Sequence, residues 1–164
     1  MKFEEFSPEQ KRMYDLRHYP VRPHVGVGGV IVWNNQILLI KRKYNPSAGK
    51  WAIPGGHLKL GEPTPTGALR ECEEETGLSL QIVKLAGVID RIDQEGNGKY
   101  EYHYVLVDYF MKVIGDFTVK NPPIPKAQSD VEEAVFVSFK DIPLYNLTRT
   151  TKELLIELDI MQNN

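Results

Sequence analysis

The sequence lacks the features that mark secreted and membrane-spanning proteins. It contains one cysteine, which allows no internal disulfide. The opening segment, MKFEEFSPEQ, carries neither the basic region nor the apolar stretch of a secretion signal. The longest apolar runs, such as residues 30–33 and 37–40, have the length of strands and are far too short to span a bilayer. We therefore expect a cytoplasmic protein that does not span a membrane.

An excess of charge of one sign is absent as well. The chain has 20 lysines and arginines against 22 aspartates and glutamates, a formal net charge of -2. Such a balance gives no extended basic surface for a nucleic-acid backbone or an anionic membrane, so we expect neither as a partner. We find no internal repeat or low-complexity tract. A single domain over residues 1–164 is predicted, with a short helical extension over about residues 1–20.

The pattern of apolar residues predicts more strands than helices. Strands are expected at residues 24–33, 36–43, 51–53, 80–93, 99–113 and 132–139. Helices are expected from Pro8 to about Leu16, with Ser7 and Gln10 forming a capping box, and over residues 148–161. Asn34-Asn35 and residues 95–98 suit hairpin turns. Segregated strands and helices favour an α+β domain.

Residues 56–78 read GHLKLGEPTPTGALRECEEETGL and contain a third predicted helix, over residues 66–76. Thr64 or Thr66 can serve as the N-cap, Pro65 suits a first helical position, and Gly77 is placed for a left-handed C-terminal cap. The buried side of this helix is expected to consist of Ala68, Leu69 and Cys72. The helix is therefore defined at both ends by local signals.

Three glutamates of this helix share one face. Each helical residue advances by about 100°, so Glu71, Glu74 and Glu75 fall within an arc of about 100°, whereas Glu73 lies elsewhere. Like charges at these spacings repel one another, and a cation would remove that repulsion. Clustered carboxylate oxygens suit Mg²⁺ or Mn²⁺, which share their coordination with water and substrate phosphates. The sequence therefore predicts a divalent metal site used in phosphate chemistry.

The spacing of these residues resembles the signature of the Nudix hydrolase family. The pattern is G-x5-E-x7-R-E-U-x-E-E-x-G-U, with U an aliphatic or similar residue, and it runs from Gly56 to Leu78. Cys72 occupies a position where the family usually has a larger aliphatic residue. The resemblance extends to residues 49–56 and 132–142. It implies the Nudix fold, a mixed β-sheet sandwiched between α-helices.

The resemblance also implies roles for the signature residues. Glu71, Glu74 and Glu75 would coordinate the metal, helped by the carbonyl of Gly55 or Gly56. Arg70 would orient the glutamates, because a planar guanidinium can hold carboxylates in pairs. The remaining signature acid, Glu62, would brace the loop.

The chemistry implied is hydrolysis of a phosphoanhydride, with a carboxylate as general base. Family members differ in which residue takes the proton. The candidates in this sequence are Glu71, Glu132 and Glu133, with Asp130 and Glu101 behind them. The sequence does not decide between the adjacent glutamates.

Substrate contacts are predicted from basic, aromatic and histidine side chains. Of Lys41, Arg42 and Lys43, at least one can reach a phosphate, and Arg42 is our candidate. His57 lies within the signature loop, where substrate contact is expected. Aromatic candidates for stacking on a base are Trp51, Tyr44, Tyr102, Tyr104 and Phe136.

The substrate itself is expected to be a small nucleotide. ADP-ribose or a related nucleoside diphosphate derivative is slightly favoured by the resemblance, and a modified nucleoside triphosphate is the alternative. A proline that marks many ADP-ribose hydrolases is missing, since Asp93 and Gln94 occupy that region. A sensor that binds a nucleotide without cleaving it is the third hypothesis, although such modules typically lose signature carboxylates. A homodimer is also possible, as in many family members.

Overall fold

The computed structural model of the chain describes residues 5–162, without side-chain detail at residues 13–15. The helices are α1 (Pro8–Arg17), α2 (Thr64–Thr76) and α3 (Arg149–Glu157), and a 3-10 helix covers Phe139–Leu144. The strands are β1 (His24–Trp33), β2 (Gln36–Arg42), β3 (Trp51–Ala52), β4 (Gly55–His57), β5 (Leu80–Gln94), β6 (Tyr100–Val113) and β7 (Val131–Ser138). Among the described residues, no helix is long and apolar enough to span a membrane.

The strands form one mixed sheet with β1 at its centre. The main path through the sheet is β3-β2-β1-β6-β5, with β4 pairing to β1 and β7 pairing to β2. Strands β1 and β6 run parallel, whereas the other pairings are antiparallel. In this register Gly28 of β1 lies between Asp108 of β6 and Gly55 of β4. The centre of the sheet therefore connects the signature loop with β6.

Helices cover both faces of the sheet. Successive residues of a strand point to opposite faces, so neighbours on β1 belong to different cores. Ile31 packs with Ala68 and Cys72 of α2, whereas the preceding residue Val30 packs with Leu154 of α3. The α+β class and the sheet sandwiched between helices are therefore confirmed.

Local signals placed most turns and caps correctly. Asn34 and Asn35 have φ angles of 48° and 58°, the left-handed pair required by a tight hairpin. The backbone N–H of Ser7 donates to Gln10 Oε1 at 2.9 Å, and the Gln10 N–H donates to Ser7 Oγ at 3.2 Å. This reciprocal pair is the predicted capping box.

The predicted start of α2 was wrong. The helix begins at Thr64, its N-cap is Pro63, and no side chain caps it. Thr64 is not available as a cap because its hydroxyl lies 2.6 Å from the hydroxyl of Tyr109 on β6. A tertiary contact therefore overrides the local capping preference.

The C-terminal helix is also shorter than predicted. It ends at Glu157, and the N–H groups of Ile160 and Met161 both return to the carbonyl of Leu155. Asp159 adopts a left-handed φ of 55°, which an α-helix cannot accommodate. The apolar spacing continues beyond the helix because these residues still pack into the core near α3.

Gly77 provides a test of how α2 ends. Its φ is 65°, and its N–H donates to the carbonyl of Glu73 at 2.9 Å. We expect Gly77→Ala to lower the free energy of unfolding by about 1 kcal/mol, because a side chain disfavours the left-handed conformation. Chemical denaturation measures this. Gly96→Ala is the control, since no atom lies within 4 Å of a side chain added there and its φ is not positive. Equal losses in the two variants would contradict the capping role.

Candidate active site

The guanidinium of Arg70 organises the signature loop and α2. It holds Glu62 in a two-pronged contact, with Nε to Oε1 at 2.7 Å and Nη2 to Oε2 at 2.9 Å. Its Nη1 donates to Glu71 Oε1 at 2.7 Å, and Nη2 donates to the carbonyl of His57 at 3.0 Å. A planar fork can make all these contacts at once. The loop and the helix are therefore joined by one side chain.

Glu62 is the most strongly held carboxylate of the site. The hydrogen bonds from Arg70 and from the backbone N–H of Lys59, the latter at 3.0 Å, lower the pKa of Glu62 to about 2. Glu62 therefore remains ionised under ordinary conditions. These contacts are consistent with its expected role of bracing the loop.

Glu75 occupies a more buried position. It is 8% exposed and accepts a hydrogen bond from the Gly55 N–H at 2.9 Å. Burial raises the pKa of Glu75 to about 7, with a further contribution from the negative charge of Glu71, and the Gly55 N–H opposes this shift. A positive charge placed beside Glu75 would stabilise its ionised form.

The three glutamates of the predicted face all line one cavity, and Glu73 does not. Glu73 instead accepts a hydrogen bond from the Leu80 N–H at 2.9 Å, which links the end of α2 to β5. Glu74 is the most exposed of the three, with 53% of its side-chain surface accessible and Arg70 Nη1 at 3.5 Å. The helical geometry thus separates the cavity-facing glutamates from a structural one.

The glutamates have suitable chemistry for a divalent cation but are not arranged as a finished ligand set. Carboxylate oxygens suit a hard cation. Within residues 5–162, however, no three acidic, histidine or cysteine side chains are spaced to hold a metal ion. Arg70 holds Glu71, and Gly55 holds Glu75. The expected convergence on one point is therefore not present in this arrangement, although Arg70 holds only Oε1 of Glu71 and leaves its second oxygen free for a cation.

Two glycines make this crowded region possible. A side chain at Gly56 would collide with the Glu71 carboxylate, and a side chain at Gly55 would collide with backbone atoms of Val27 and Gly28. Both glycines line the cavity. Because neither residue carries a side chain, their backbone atoms can approach the cavity beside the glutamates. The carbonyl of Gly55 was expected to help coordinate the metal at this place.

The cavity has a volume of about 1230 Å³ and extends from the glutamates to cationic side chains. Arg42 of β2 lines it, as expected, and its Nε donates to the carbonyl of Pro46 at 3.1 Å. Burial lowers the pKa of Arg42, while the charge of Glu75 opposes that shift. Arg17 and Arg91 also line the cavity, but the sequence analysis missed both. No local sequence signal marks them, because they lie on α1 and β5, outside the signature segment, and only the fold brings them to the cavity.

His57 lies in the cavity wall as expected. Its Nε2 is 3.3 Å from the hydroxyl of Tyr104, and the two rings meet edge to face. Burial, followed by the positive charges of Arg17, His24 and Arg42, lowers the pKa of His57 to about 3. The imidazole is therefore neutral at physiological pH and can exchange hydrogen bonds without carrying charge.

The structure corrects the prediction for Trp51. Trp51 does not line the cavity, although the next residue, Ala52, does. The indole ring packs edge-on against Tyr145 at 5.0 Å within the core near α3. Of the other aromatic candidates, Tyr44, Tyr102 and Tyr104 line the cavity and Phe136 does not. Alternation along the strand explains the difference at Trp51.

The structure also changes the set of candidate general bases. Glu132 and Glu133 lie outside the cavity lining, and both pair with Lys41, at 3.6 and 3.0 Å. Glu101 likewise lies outside it and pairs with His18 at 3.2 Å. Glu71 and Asp130 do line the cavity. These two are therefore the candidates that the geometry retains.

Known proteins resemble this chain along most of its length. The NUDIX domain family matches residues 22–158. The ADP-ribose pyrophosphatase of Methanocaldococcus jannaschii is 35% identical over 140 residues, which span 84% of this chain and 76% of that protein. The MutT-like protein of Streptomyces ambofaciens is 43% identical over 65 residues, 39% of this chain and 40% of that protein. The solved MutT NUDIX hydrolase of Burkholderia pseudomallei has a TM-score of 0.68 at 35% identity, covering 82% of this chain and 96% of that one.

The fold, the signature helix and these similarities define an enzyme that hydrolyses phosphoanhydride bonds. The chain belongs to the Nudix hydrolase family. Proteins of this family act on small nucleotide substrates and use divalent metal ions.

The role of Arg70 can be tested through protein stability. We expect Arg70→Lys to lower Tm by about 3 °C at neutral pH, because an ammonium cannot make the forked contact. The pKa of Glu62 should rise from about 2 toward its ordinary value of 4.5. In wild type, the lowered pKa of Glu62 stabilises the fold fully above pH 4.5, and this stabilisation disappears as the pH falls toward 2. Between pH 4.5 and pH 2, the Tm of Arg70→Lys should therefore fall less than the Tm of wild type.

Thermal melts across this pH range and NMR titration of Glu62 provide the measurements. Arg22→Lys is the control, since Arg22 is exposed. An unchanged Glu62 pKa in Arg70→Lys would contradict the assignment.

Proposed function

We propose that this Nudix hydrolase cleaves the pyrophosphate of ADP-ribose or a closely related nucleoside diphosphate derivative, with Mg²⁺ as its metal ion. The products would be a nucleoside monophosphate and the phosphate ester from the other side of the bridge. The observation that carries this proposal is the cavity shared by the glutamates of α2 and by arginines of α1, β2 and β5. The choice of ADP-ribose is supported by the relative of that name, which aligns with 84% of the chain.

The arginines suit the charge of a pyrophosphate. Arg42 and Arg17 line the cavity, and both lie close enough to His57 to lower its pKa through their positive charges. Guanidinium groups bind phosphate oxygens in pairs. The two arginines would therefore hold the phosphates, and neutral His57 would add a hydrogen bond without repelling the cationic groups.

The glutamates provide the opposite end of the site. When bound by Glu71, Glu74, Glu75 and the Gly55 backbone, Mg²⁺ supplies charge neutralisation at the bridge and a water of lowered pKa. Arg70 would position Glu71 at the edge of this site and keep Glu62 ionised. We assign these roles because carboxylate and carbonyl oxygens suit Mg²⁺ and because all of these residues except Glu62 line the same cavity.

Proton removal from the attacking water requires a carboxylate near the acidic end of the cavity. Asp130 is exposed and lines the cavity, and no hydrogen bond or ion pair among the described residues holds its carboxylate. Glu71 lines the same cavity but is engaged by Arg70. Asp130 and Glu71 are therefore the two groups that we propose for this step.

A substrate panel tests the proposed reaction. Purified enzyme with Mg²⁺ would be given ADP-ribose, NADH, diadenosine polyphosphates, sugar nucleotides and damaged nucleoside triphosphates, and the products would be separated by chromatography. We expect the highest kcat/KM for ADP-ribose, with AMP and ribose 5-phosphate as products and no reaction in EDTA. Preference for a triphosphate would support the alternative substrate class. Binding of every compound without cleavage would overturn the enzyme assignment.

The metal-binding role is tested by a pair of substitutions at adjacent positions of α2, one inside the cavity lining and one outside it. We expect Glu74→Gln to lower kcat by at least about a hundredfold with the fold intact, because it removes a ligating charge from an exposed position. Glu73→Gln is the matched control, since its amide oxygen can still accept the Leu80 N–H. Steady-state kinetics and circular dichroism measure both effects. Near-normal kcat in Glu74→Gln, or an equal loss in Glu73→Gln, would contradict the assignment.

A cytoplasmic location and a homodimer stay predictions from the sequence and from the family resemblance. The domain prediction over residues 1–164 likewise stays a prediction.

A further inference from the structure

Asp108 is a carboxyl group at the floor of the cavity, on the face of the sheet opposite α2. It belongs to β6, where alternate residues Tyr102, Tyr104, Leu106 and Asp108 all line the cavity. It is 6% exposed. Asp108 is therefore buried to about the same extent as Glu75 of the signature helix, but it belongs to a different structural element.

The carboxyl group of Asp108 has no partner among the residues that the structure describes. Across the described part of the chain, no hydrogen bond or ion pair involves its carboxyl group, and burial alone raises its pKa to about 7. Among residues 5–162, every side-chain oxygen or nitrogen that is fully enclosed has a hydrogen-bond partner. Since the Asp108 oxygens have none, they must be accessible from the cavity that Asp108 lines. Glu75, at similar burial, has the Gly55 N–H. A buried polar group without a partner destabilises the fold. A hydrogen-bond donor on the substrate would remove this cost when the substrate binds.

The surroundings of Asp108 suit an uncharged, partly apolar group. A side chain at Gly28 would come within 2.6 Å of Asp108 Oδ1, so the glycine leaves the carboxyl room against bare backbone. Leu106 takes up the equivalent space over Gly26, where an added side chain would lie 2.6 Å from its Cδ2. Leu106 and Asp108 thus offer an apolar surface next to a hydrogen-bonding group, a pattern that fits the flat body and polar edge of a nucleoside.

We propose that Asp108 is a substrate-binding residue that accepts a hydrogen bond from a hydroxyl or amino group in the nucleoside part of the substrate. This inference rests on the proposed function and adds the orientation of the substrate in the cavity. The phosphates have better partners than Asp108 in the same cavity, namely the cationic side chains of Arg17, Arg42 and Arg91. A carboxyl oxygen accepts in either protonation state, so the assignment does not depend on titration.

The first test replaces the acceptor. We expect Asp108→Leu to lower kcat/KM for ADP-ribose about tenfold, mainly through KM, because a substrate donor loses its partner. Asp108→Asn keeps an acceptor oxygen of similar shape and should retain most of the activity. The Tm of the leucine variant should equal or exceed that of wild type, since no internal contact is lost. A fall in Tm that accompanies the loss of activity would show a structural role and overturn the proposal, as would unchanged kcat/KM in Asp108→Leu.

The second test identifies the donor. ADP-ribose analogues would lack the 2′-hydroxyl or the 3′-hydroxyl of the adenosine ribose, or the 6-amino group of adenine. With wild type, the analogue that lacks the contacted donor should have a kcat/KM about tenfold lower than that of ADP-ribose. With Asp108→Leu, the analogue and ADP-ribose should have equal kcat/KM values. The amino and hydroxyl sources are thereby distinguished. Additive losses for every analogue would overturn the proposal.

Controls separate this inference from the proposed function. Asp90→Leu removes an exposed aspartate outside the cavity lining and should leave the kinetics of every analogue unchanged. If wild type cleaves none of the compounds, the proposed reaction is wrong. The role of Asp108 is then tested by the Kd for ADP-ribose, measured by isothermal titration calorimetry. A Kd about tenfold weaker in Asp108→Leu would support the assignment, and equal Kd values would overturn it.

Discussion

The forked contact of Arg70 is the interaction on which the acidic site depends. Glu62 and Glu71 would repel each other if they shared a site without a cation, and the guanidinium lies between them at 2.7 Å from each. The same group holds the carbonyl of His57, so the loop before α2 cannot move independently of the helix. One side chain therefore sets the shape of the loop, the position of a candidate ligand and the charge of Glu62.

The cavity gains its polarity from elements that are far apart in the chain. The three glutamates proposed to hold the metal ion come from a single helix, α2, whereas Arg17, Arg42 and Arg91 come from a helix and two strands. The central strand β1 contributes because Gly26 and Gly28 leave room for the side chains of Leu106 and Asp108, which line the cavity. A ligand with a diphosphate bridge and an organic body can use both the charged ends and the less polar floor, which is consistent with a nucleotide-hydrolysing Nudix enzyme.

The errors of the sequence analysis have a common cause. Trp51 and Ala52 are adjacent, and strand alternation alone does not tell which of them faces the cavity, because that depends on where α3 packs. Glu132 and Glu133 were candidates for the general base, but pairing of β7 with β2 brings them to Lys41 instead. Thr64 had the chemistry of a cap, yet Tyr109 of β6 engages its hydroxyl. In each case a long-range contact decided between choices that were locally equivalent.

The sequence by itself determined the signature helix, its left-handed end at Gly77, and the face shared by Glu71, Glu74 and Glu75, since these depend on a helical repeat within a few residues. The capping box and the hairpin at Asn34-Asn35 are local in the same sense. Only the tertiary structure brought Asp108 into the cavity of the signature helix, because β1 pairs with β4 of the signature loop on one side and, about 80 residues away in the chain, with β6 on the other. A local pattern specifies which residues share an element, whereas packing specifies which elements share a site.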